Sequence, residues 1–316
     1  MNTAPRIVFW GTPAPAACVL DALLRQGSVI VGVVTQPDKP AGRHQKLTPP
    51  PVKSLAQHAP LPVIQPLSLR APGVQTQLDA WQPAVSLVVA YGKIIPAAML
   101  EKSGPFINVH FSLLPAYRGA APVQRALMDG VTETGVTLQY LAPELDAGDI
   151  IAQARVAVRE DDTTATLMEH CLAAAIPLVQ AVMPRVADGT APRMPQDHAR
   201  ATLAPKLQKS EGALRWTDTA VALHNRVRAC NPWPGAIAWL HGQPLKIWRS
   251  RVAEAGASAA PPGALIPCPN RLLVATHAGT LELLDVQPPG KGRMSAAAFL
   301  AGRSLPPAFD VTPPMP

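Results

Sequence analysis

The sequence predicts an α/β chain, with an open, mostly parallel sheet covered by helices over residues 1–189, a linker over 190–207, and a small β-rich domain over 208–316. In the first part, short apolar runs rich in branched residues alternate with segments of helical length and period. Beyond the linker, strand-like runs follow one another with only Gly-rich turns between them. Charge divides at the same place: residues 1–189 carry 14 Lys and Arg against 14 Asp and Glu, and residues 190–316 carry 14 against 7.

Ile7 to Trp10, Val29 to Thr35, Val85 to Tyr91 and Phe106 to Phe111 read as strands buried on both faces, as parallel strands are. A helix is bracketed by Pro122 at its first turn and Gly130 just past its end. Another spans about Thr163 to Met183, with Leu167, Cys171, Leu172, Ile176 and Val179 along its buried side. This is a Rossmann-like order of elements, yet no Gly-x-Gly-x-x-Gly follows the first strand, so nothing supports a dinucleotide site. From Thr190 the chain turns polar and aperiodic, with Pro192, Pro195 and Pro205. A helix around Thr219 to Ala229 follows, then strands at Ala236 to Leu240, Leu245 to Trp248, Leu272 to Ala275 and Leu281 to Val286.

A length of 316 residues exceeds what one core usually organises, and 48% hydrophobic residues suffice to bury two. Proline is abundant at 37 residues, but with 21 glycines the pair stays below the share that marks low complexity. Cys18, Cys171, Cys230 and Cys268 are scattered without paired spacing, which argues against a zinc or redox motif and for reduced, mostly buried thiols. No uninterrupted apolar run approaches the ~20 residues of a membrane span, and Gly11-Thr12-Pro13 interrupts any signal-peptide core. A cytoplasmic protein is expected.

The chemistry concentrates between residues 106 and 149. Along Phe106-Ile107-Asn108-Val109-His110-Phe111 the side chains alternate, so Ile107 and Val109 face one way while Asn108 and His110 share the other. When an amine attacks a carbonyl, negative charge builds on oxygen, the amine loses a proton and the leaving nitrogen gains one. An amide N–H can hold that oxygen and an imidazole can move the protons. A carboxylate would fix the imidazole tautomer, and Asp146 lies in a loop able to return to the strand end. Taken singly, an Asn or His at a strand end and an Asp in a turn are ordinary. Their combination is not.

Asn108-Val109-His110, Ser112-Leu113-Leu114-Pro115, Arg118-Gly119-Ala120-Ala121-Pro122 and Leu145-Asp146-x-Gly148-Asp149 resemble the signature of the folate-dependent formyltransferases. Phe9-Trp10-Gly11-Thr12-Pro13, the loop Thr35-Gln36-Pro37-Asp38-Lys39-Pro40-Ala41-Gly42-Arg43, Val89-Ala90-Tyr91-Gly92 and Asn231-Pro232-Trp233-Pro234-Gly235 extend the likeness over nearly the whole chain. The resemblance implies an OB-like β-barrel for the second domain. It also implies transfer of a formyl group from 10-formyltetrahydrofolate to the amino group of methionyl initiator tRNA, which prepares that tRNA for translation initiation. By matching position, Asn108, His110 and Asp146 are the expected catalytic trio. Ser112, Leu113, Leu114 and Pro115 are expected to line the folate pocket, and Ala90, Tyr91 and Gly92 to offer backbone groups to the pterin. Folate serves as cosubstrate, and no metal is expected. Two positions depart from the family's usual pattern: Phe111 stands where a small residue is usual, and Ala116 where a basic one is frequent.

The positive excess beyond residue 189 suits a phosphate backbone, although charge alone would equally serve solubility. Lys206 and Lys209, where the linker meets the second domain, are the first candidates for tRNA contact. Arg226, Arg228, Lys246, Arg249, Arg251, Lys291 and Arg293 follow. Lys39, Arg43 and Lys46, with His44, lie in a loop rich in Pro and Gly that could grip the tRNA acceptor end. The alternatives are a formyltransferase acting on an amino-sugar nucleotide or on glycinamide ribotide, and a non-catalytic RNA-binding protein. A monomer is expected.

Overall fold

The computed structural model describes residues 4–42, 45–258 and 260–311. These form two units. The first holds the described residues through Gly119, with Glu133–Ala157 and Met168–Leu203; the second holds Ala120–Thr132, Val158–Leu167 and the described residues from Ala204 onward.

In the first unit the chain runs β1 (Arg6–Gly11), α1 (Ala14–Arg25), β2 (Val29–Val34), a hairpin of β3 (Lys39–Ala41) and β4 (Lys46–Thr48), α2 (Pro51–His58), β5 (Val63–Ile64), α3 (Pro72–Trp81), β6 (Val85–Val89), α4 (Ala97–Lys102) and β7 (Phe106–His110). Between β7 and β8 (Glu133–Tyr140) comes α5 (Pro122–Asp129), which belongs to the second unit; β9 (Ile150–Ala157) and α6 (Thr164–Ala187) follow. The sheet has seven strands in the order β5-β2-β1-β6-β7-β8-β9. It is parallel from β5 to β7 and antiparallel from β7 to β9.

The expected parallel strands are present, because their Val, Ile and Leu runs can be buried only between two layers. Val8, Phe9 and Trp10 are 0% exposed, and β6 is buried throughout. Trp10 meets Tyr91 and Phe106 at ring-centroid distances of 5.4 and 5.5 Å in one aromatic cluster. Chain order reverses between β1 and β6, the place where open sheets of this kind leave a crevice outside the carboxyl ends. Thr12 Oγ1, just past β1, donates to Tyr91 O, just past β6, at 2.9 Å.

The sequence reading missed β8 and β9. Glu133-Thr134-Gly135-Val136-Thr137-Leu138-Gln139-Tyr140 is too polar to look like a core strand, yet Thr134 through Tyr140 are buried. Thr137 and Gln139 find partners, Thr137 in Gln153 and the Ser112–Pro115 turn and Gln139 in Asp146 and Gln196. The stretch after α6 is irregular as expected, but it docks on the first unit: Met194 and Ile150 exchange backbone hydrogen bonds and Gln196 is 5% exposed. The membrane-span expectation also needs correction, because α6 is long and apolar enough to cross a bilayer. Leu167, Cys171, Ala175, Val179, Val182 and Val186 are all buried, so one face of this helix packs inside the protein.

In the second unit, α5 begins at Pro122 and ends on Gly130 at φ +69°, whose N–H bonds Ala126 O and Leu127 O. Next come α7 (Ala220–Ala229), β10 (Ala236–Leu240), β11 (Gln243–Ala257), β12 (Leu265–Ile266), β13 (Leu272–Ala275), β14 (Ala278–Gln287), β15 (Met294–Ser295) and α8 (Ala296–Leu300). These strands form an antiparallel sheet ordered β10-β11-β14-β13-β12, with β15 beside β14. Thr219 caps α7 by accepting from Ala222 N–H. β11 runs far beyond the apolar stretch that signalled it, because its second half, rich in Arg, Glu and Ala, is held by register with β14 rather than by burial. Trp216, Leu223, Val227, Leu281, Leu283 and Phe309 anchor the core. None of the four cysteines is disulfide-bonded; Cys171 and Cys230 are buried while Cys18 is exposed, and burial pushes the Cys230 thiol up to about 11.

Candidate active site

Asn108 and His110 leave β7 on one face, as alternation requires, and the loop between β8 and β9 brings Asp146 to them. Asp146 Oδ1 lies 3.4 Å from Asn108 Nδ2, and Oδ2 lies 3.6 Å from His110 Nδ1. The other ring nitrogen of His110 is 2.8 Å from Tyr117 O. A carbonyl only accepts, so Nε2 carries a proton and Nδ1 faces the carboxylate. Asp146 thus stands on the Nδ1 side of the ring and Tyr117 O on the Nε2 side, which fixes the ring's orientation. His110 and Asp146 are nearly enclosed, with side-chain exposures of 6% and 11%, and Asn108 is half-buried. Removal from water strengthens each of these interactions.

Two shorter bonds hold Asp146 in place: Gly119 N–H to Oδ2 at 2.9 Å and Gln139 Nε2 to Oδ1 at 3.1 Å. Its backbone sits at φ +47°, and Tyr117 at +61°. Such conformations cost about 1–3 kcal/mol each for residues with a Cβ and persist where surrounding bonds fix them. Gly148 is required nearby, because a Cβ there would stand 1.8 Å from Tyr140 O.

The Ser112–Pro115 turn is held from β8 and β9. Thr137 Oγ1 donates to Ser112 O at 2.7 Å and accepts from Leu114 N–H at 3.0 Å, and Gln153 Nε2 donates to Leu114 O at 2.9 Å. Ser112 Oγ donates to Ala116 O at 2.6 Å, so its hydroxyl serves the turn. Ser112 and Leu114 are buried, while Leu113 and Pro115 keep exposed surface. Phe111 is 6% exposed and packs into the interior.

The pairing of Val89 with Val109 sets Ala90-Tyr91-Gly92 alongside the carboxyl end of β7. Ala90 and Gly92 are exposed, at φ +46° and +81°. Tyr91 points its ring into the aromatic cluster, and its carbonyl already accepts from Thr12 Oγ1 and, at 2.8 Å, from Gln36 Nε2. Burial pushes its phenol up to about 12. A planar ligand ring at this strand end would therefore meet the backbones of Ala90 and Gly92 rather than the side chain of Tyr91.

Among the other expected residues, Lys39 and Lys46 are exposed on the β3–β4 hairpin, with Lys39 Nζ 2.8 Å from Gln36 Oε1. Arg43 and His44 lie outside the described residues. Lys206 and Lys209 are exposed in the second unit, on a segment fixed by Arg125, which donates to Pro205 O at 3.1 Å and to Glu211 at 2.6 Å. Arg228 is corrected as a surface candidate: it is 8% exposed and bonds Asn225 and Arg159 O inside the second unit. Lys246 and Arg293 both approach Trp248, 5.8 and 5.9 Å from its ring centroid.

Residues 5–182 match the family model described as formyl transferase, and residues 206–304 match that of the formyl transferase C-terminal domain. The chain belongs to the formyl transferase family. It is 45% identical over 302 residues to the methionyl-tRNA formyltransferase of Methylococcus capsulatus, covering 95% of this chain and 97% of that one. Among solved structures, HypX from Aquifex aeolicus in complex with tetrahydrofolic acid matches with a TM-score of 0.63 and 16% identity, over 95% of this chain and 47% of that chain. The N-formyltransferase of Helicobacter canadensis in complex with folinic acid and dTDP-3-aminofucose matches with a TM-score of 0.64 and 18% identity, over 88% and 98%. At these identities the two structures establish the shared fold alone.

Proposed function

We propose that the protein transfers the formyl group of 10-formyltetrahydrofolate to the amino group of methionyl initiator tRNA. The observation that carries this reading is the meeting of Asn108, His110 and Asp146 in one cluster, in a chain 45% identical along its length to a methionyl-tRNA formyltransferase. The exposed backbone of Ala90 and Gly92 and the apolar surface of Leu113 and Pro115 suit a flat heterocycle and fit a folate cosubstrate.

In the reaction a C–N bond forms between the methionyl amine and the formyl carbon, and the bond from that carbon to folate N10 breaks. Asn108 Nδ2–H and the imidazolium of His110 stabilise the oxyanion, a role worth orders of magnitude in rate when donors are preorganised. Asp146 orients His110 and helps the proton lost by the amine reach N10. No metal enters this scheme. Lys39 and Lys46, with Arg43, are assigned to the acceptor end of the tRNA, and Lys206 and Lys209 to its phosphates. The protein acts as a cytoplasmic monomer without membrane attachment.

The test is transfer of labelled formyl from 10-formyltetrahydrofolate to methionyl initiator tRNA, beside elongator methionyl-tRNA and amino-sugar nucleotides. Rapid formylation of the initiator alone is expected. Formylation of a sugar amine, or of nothing, would overturn the reading.

A further inference from the structure

Asp146 is held less by the groups assigned to the chemistry than by a buried chain of amides behind it. Gln139 lies directly opposite Asn108 in the β7–β8 pairing, so both side chains emerge on the same face and reach the same carboxylate oxygen. The Gln139 bond is the shorter, 3.1 Å against 3.4 Å. Gln139 is 0% exposed, Gln196 5% and Arg118 8%.

The direction of this chain follows from which groups can donate. A guanidinium has donors only. Arg118 Nε and Nη2 both point at Gln196 Oε1, at 3.1 and 2.6 Å, so the oxygen of Gln196 faces Arg118 and its NH2 faces away. That NH2 is shared among three oxygens: Gly148 O at 2.7 Å, Asp146 O at 2.9 Å and Gln139 Oε1 at 3.1 Å. With its own oxygen occupied, Gln139 presents its NH2 to Asp146 Oδ1. The two amides are thereby oriented from one end, and each hydrogen bond polarises the next. The relay brings positive polarity to the carboxylate without setting a full charge beside it. Gln196 also clamps the carbonyls of Asp146 and Gly148, steadying the loop that holds Asp146 at positive φ.

We propose that Gln139 is a positioning residue for formyl transfer, its amide direction set by Gln196 and Arg118. By satisfying Asp146 Oδ1 it leaves the longer-bonded Asn108 amide available for the developing oxyanion. This inference rests on the catalytic assignment of Asn108 and Asp146 above.

The test compares Gln139→Met, which keeps volume but loses the donor, with Gln139→Glu, which keeps shape but sets a carboxyl against Asp146. Asp146→Asn is measured beside them. For Gln139→Met we expect kcat to fall about tenfold, with KM for tRNA and folate within twofold and an unchanged circular dichroism spectrum. For Gln139→Glu the loss should be greater at pH 8 and shrink toward pH 6, as the introduced carboxyl gains a proton and donates again. A packing role alone would not give that pH profile. A Gln139→Met kcat within twofold of the parent, or a Gln139→Glu deficit that does not vary with pH, overturns the proposal. If Asp146→Asn itself keeps full activity, the catalytic assignment fails first; if it loses activity while Gln139→Met does not, only this inference falls.

Discussion

Asp146 in the first unit and Glu282 in the second are both carboxylates withdrawn from water, with side-chain exposures of 11% and 6%, and they are satisfied in opposite ways. Glu282 is gripped by two guanidiniums, Arg271 at 2.7 Å and Arg251 at 2.6 Å, which hold it below the usual carboxylate range. Its neighbour Asp285 is paired in the same way with Arg293 and Arg249. Asp146 instead receives short bonds from a neutral amide and a backbone N–H, and meets His110 at 3.6 Å. A carboxylate closed by arginines keeps a strand ladder in register and leaves a basic surface outside. One steadied by neutral dipoles keeps its charge available to an imidazole. On the function proposed above, the difference reflects a division of labour, with the chemistry in the first unit and part of the electrostatic affinity for tRNA in the second.

The hardest strike at the first half of that comparison is removal of a trio member. Asn108→Ala or Asp146→Asn should lower kcat by at least ~100-fold with an unchanged thermal midpoint; near-normal turnover in either would sink the catalytic assignment. Next comes Gly148→Ala, which forces a Cβ against Tyr140 O and must displace the Asp146 loop. A loss of kcat on the order of tenfold, with a lower thermal midpoint from the strained packing, is expected in steady-state assays and calorimetry.

On the other side, replacing Lys206 and Lys209 together with Ala should raise KM for tRNA several-fold and leave kcat alone. It should also flatten the salt dependence of binding by about 0.7–0.9 in log–log slope for each phosphate that is no longer neutralised. An unchanged slope would remove both from the tRNA surface. The smallest effect concerns His224, whose Nε2–H donates to Glu160 O while Nδ1 accepts from Ser250 Oγ. Burial lowers its proton affinity below the ordinary 6.5. The unfolded chain then binds the proton first, so stability is full above pH 6.5 and declines as pH falls from there to the lowered folded value. Urea midpoints should fall between about pH 7.5 and 5, and His224→Gln should flatten that decline. A wild-type midpoint flat across the range would contradict the sign.

Much of this was legible in the sequence. Parallel strands announce themselves as apolar runs, and Pro122 and Gly130 mark both ends of α5, because such local chemistry has few solutions. The trio was legible because alternation on β7 and a family signature converge on the same residues. What escaped were Thr137, Gln139, Gln153 and Gln196. Each is an ordinary polar residue whose importance comes from a partner well removed in the chain: Gln196 bonds Gln139, 57 positions away, and Gln153 bonds Leu114, 39 positions away. No local pattern encodes those pairings. Arg228 erred the other way: a charge in the sequence looks like surface, but on α7 it turns inward to Asn225.

The division of labour is tested most directly by following formyl transfer to methionyl initiator tRNA from about 50 to 300 mM salt, with kcat and KM resolved. The expected result is a KM for tRNA that climbs steeply with salt while kcat holds within about twofold, since phosphate contacts are screened and an enclosed site is not. A kcat that falls in step with the weakening of affinity would contradict it.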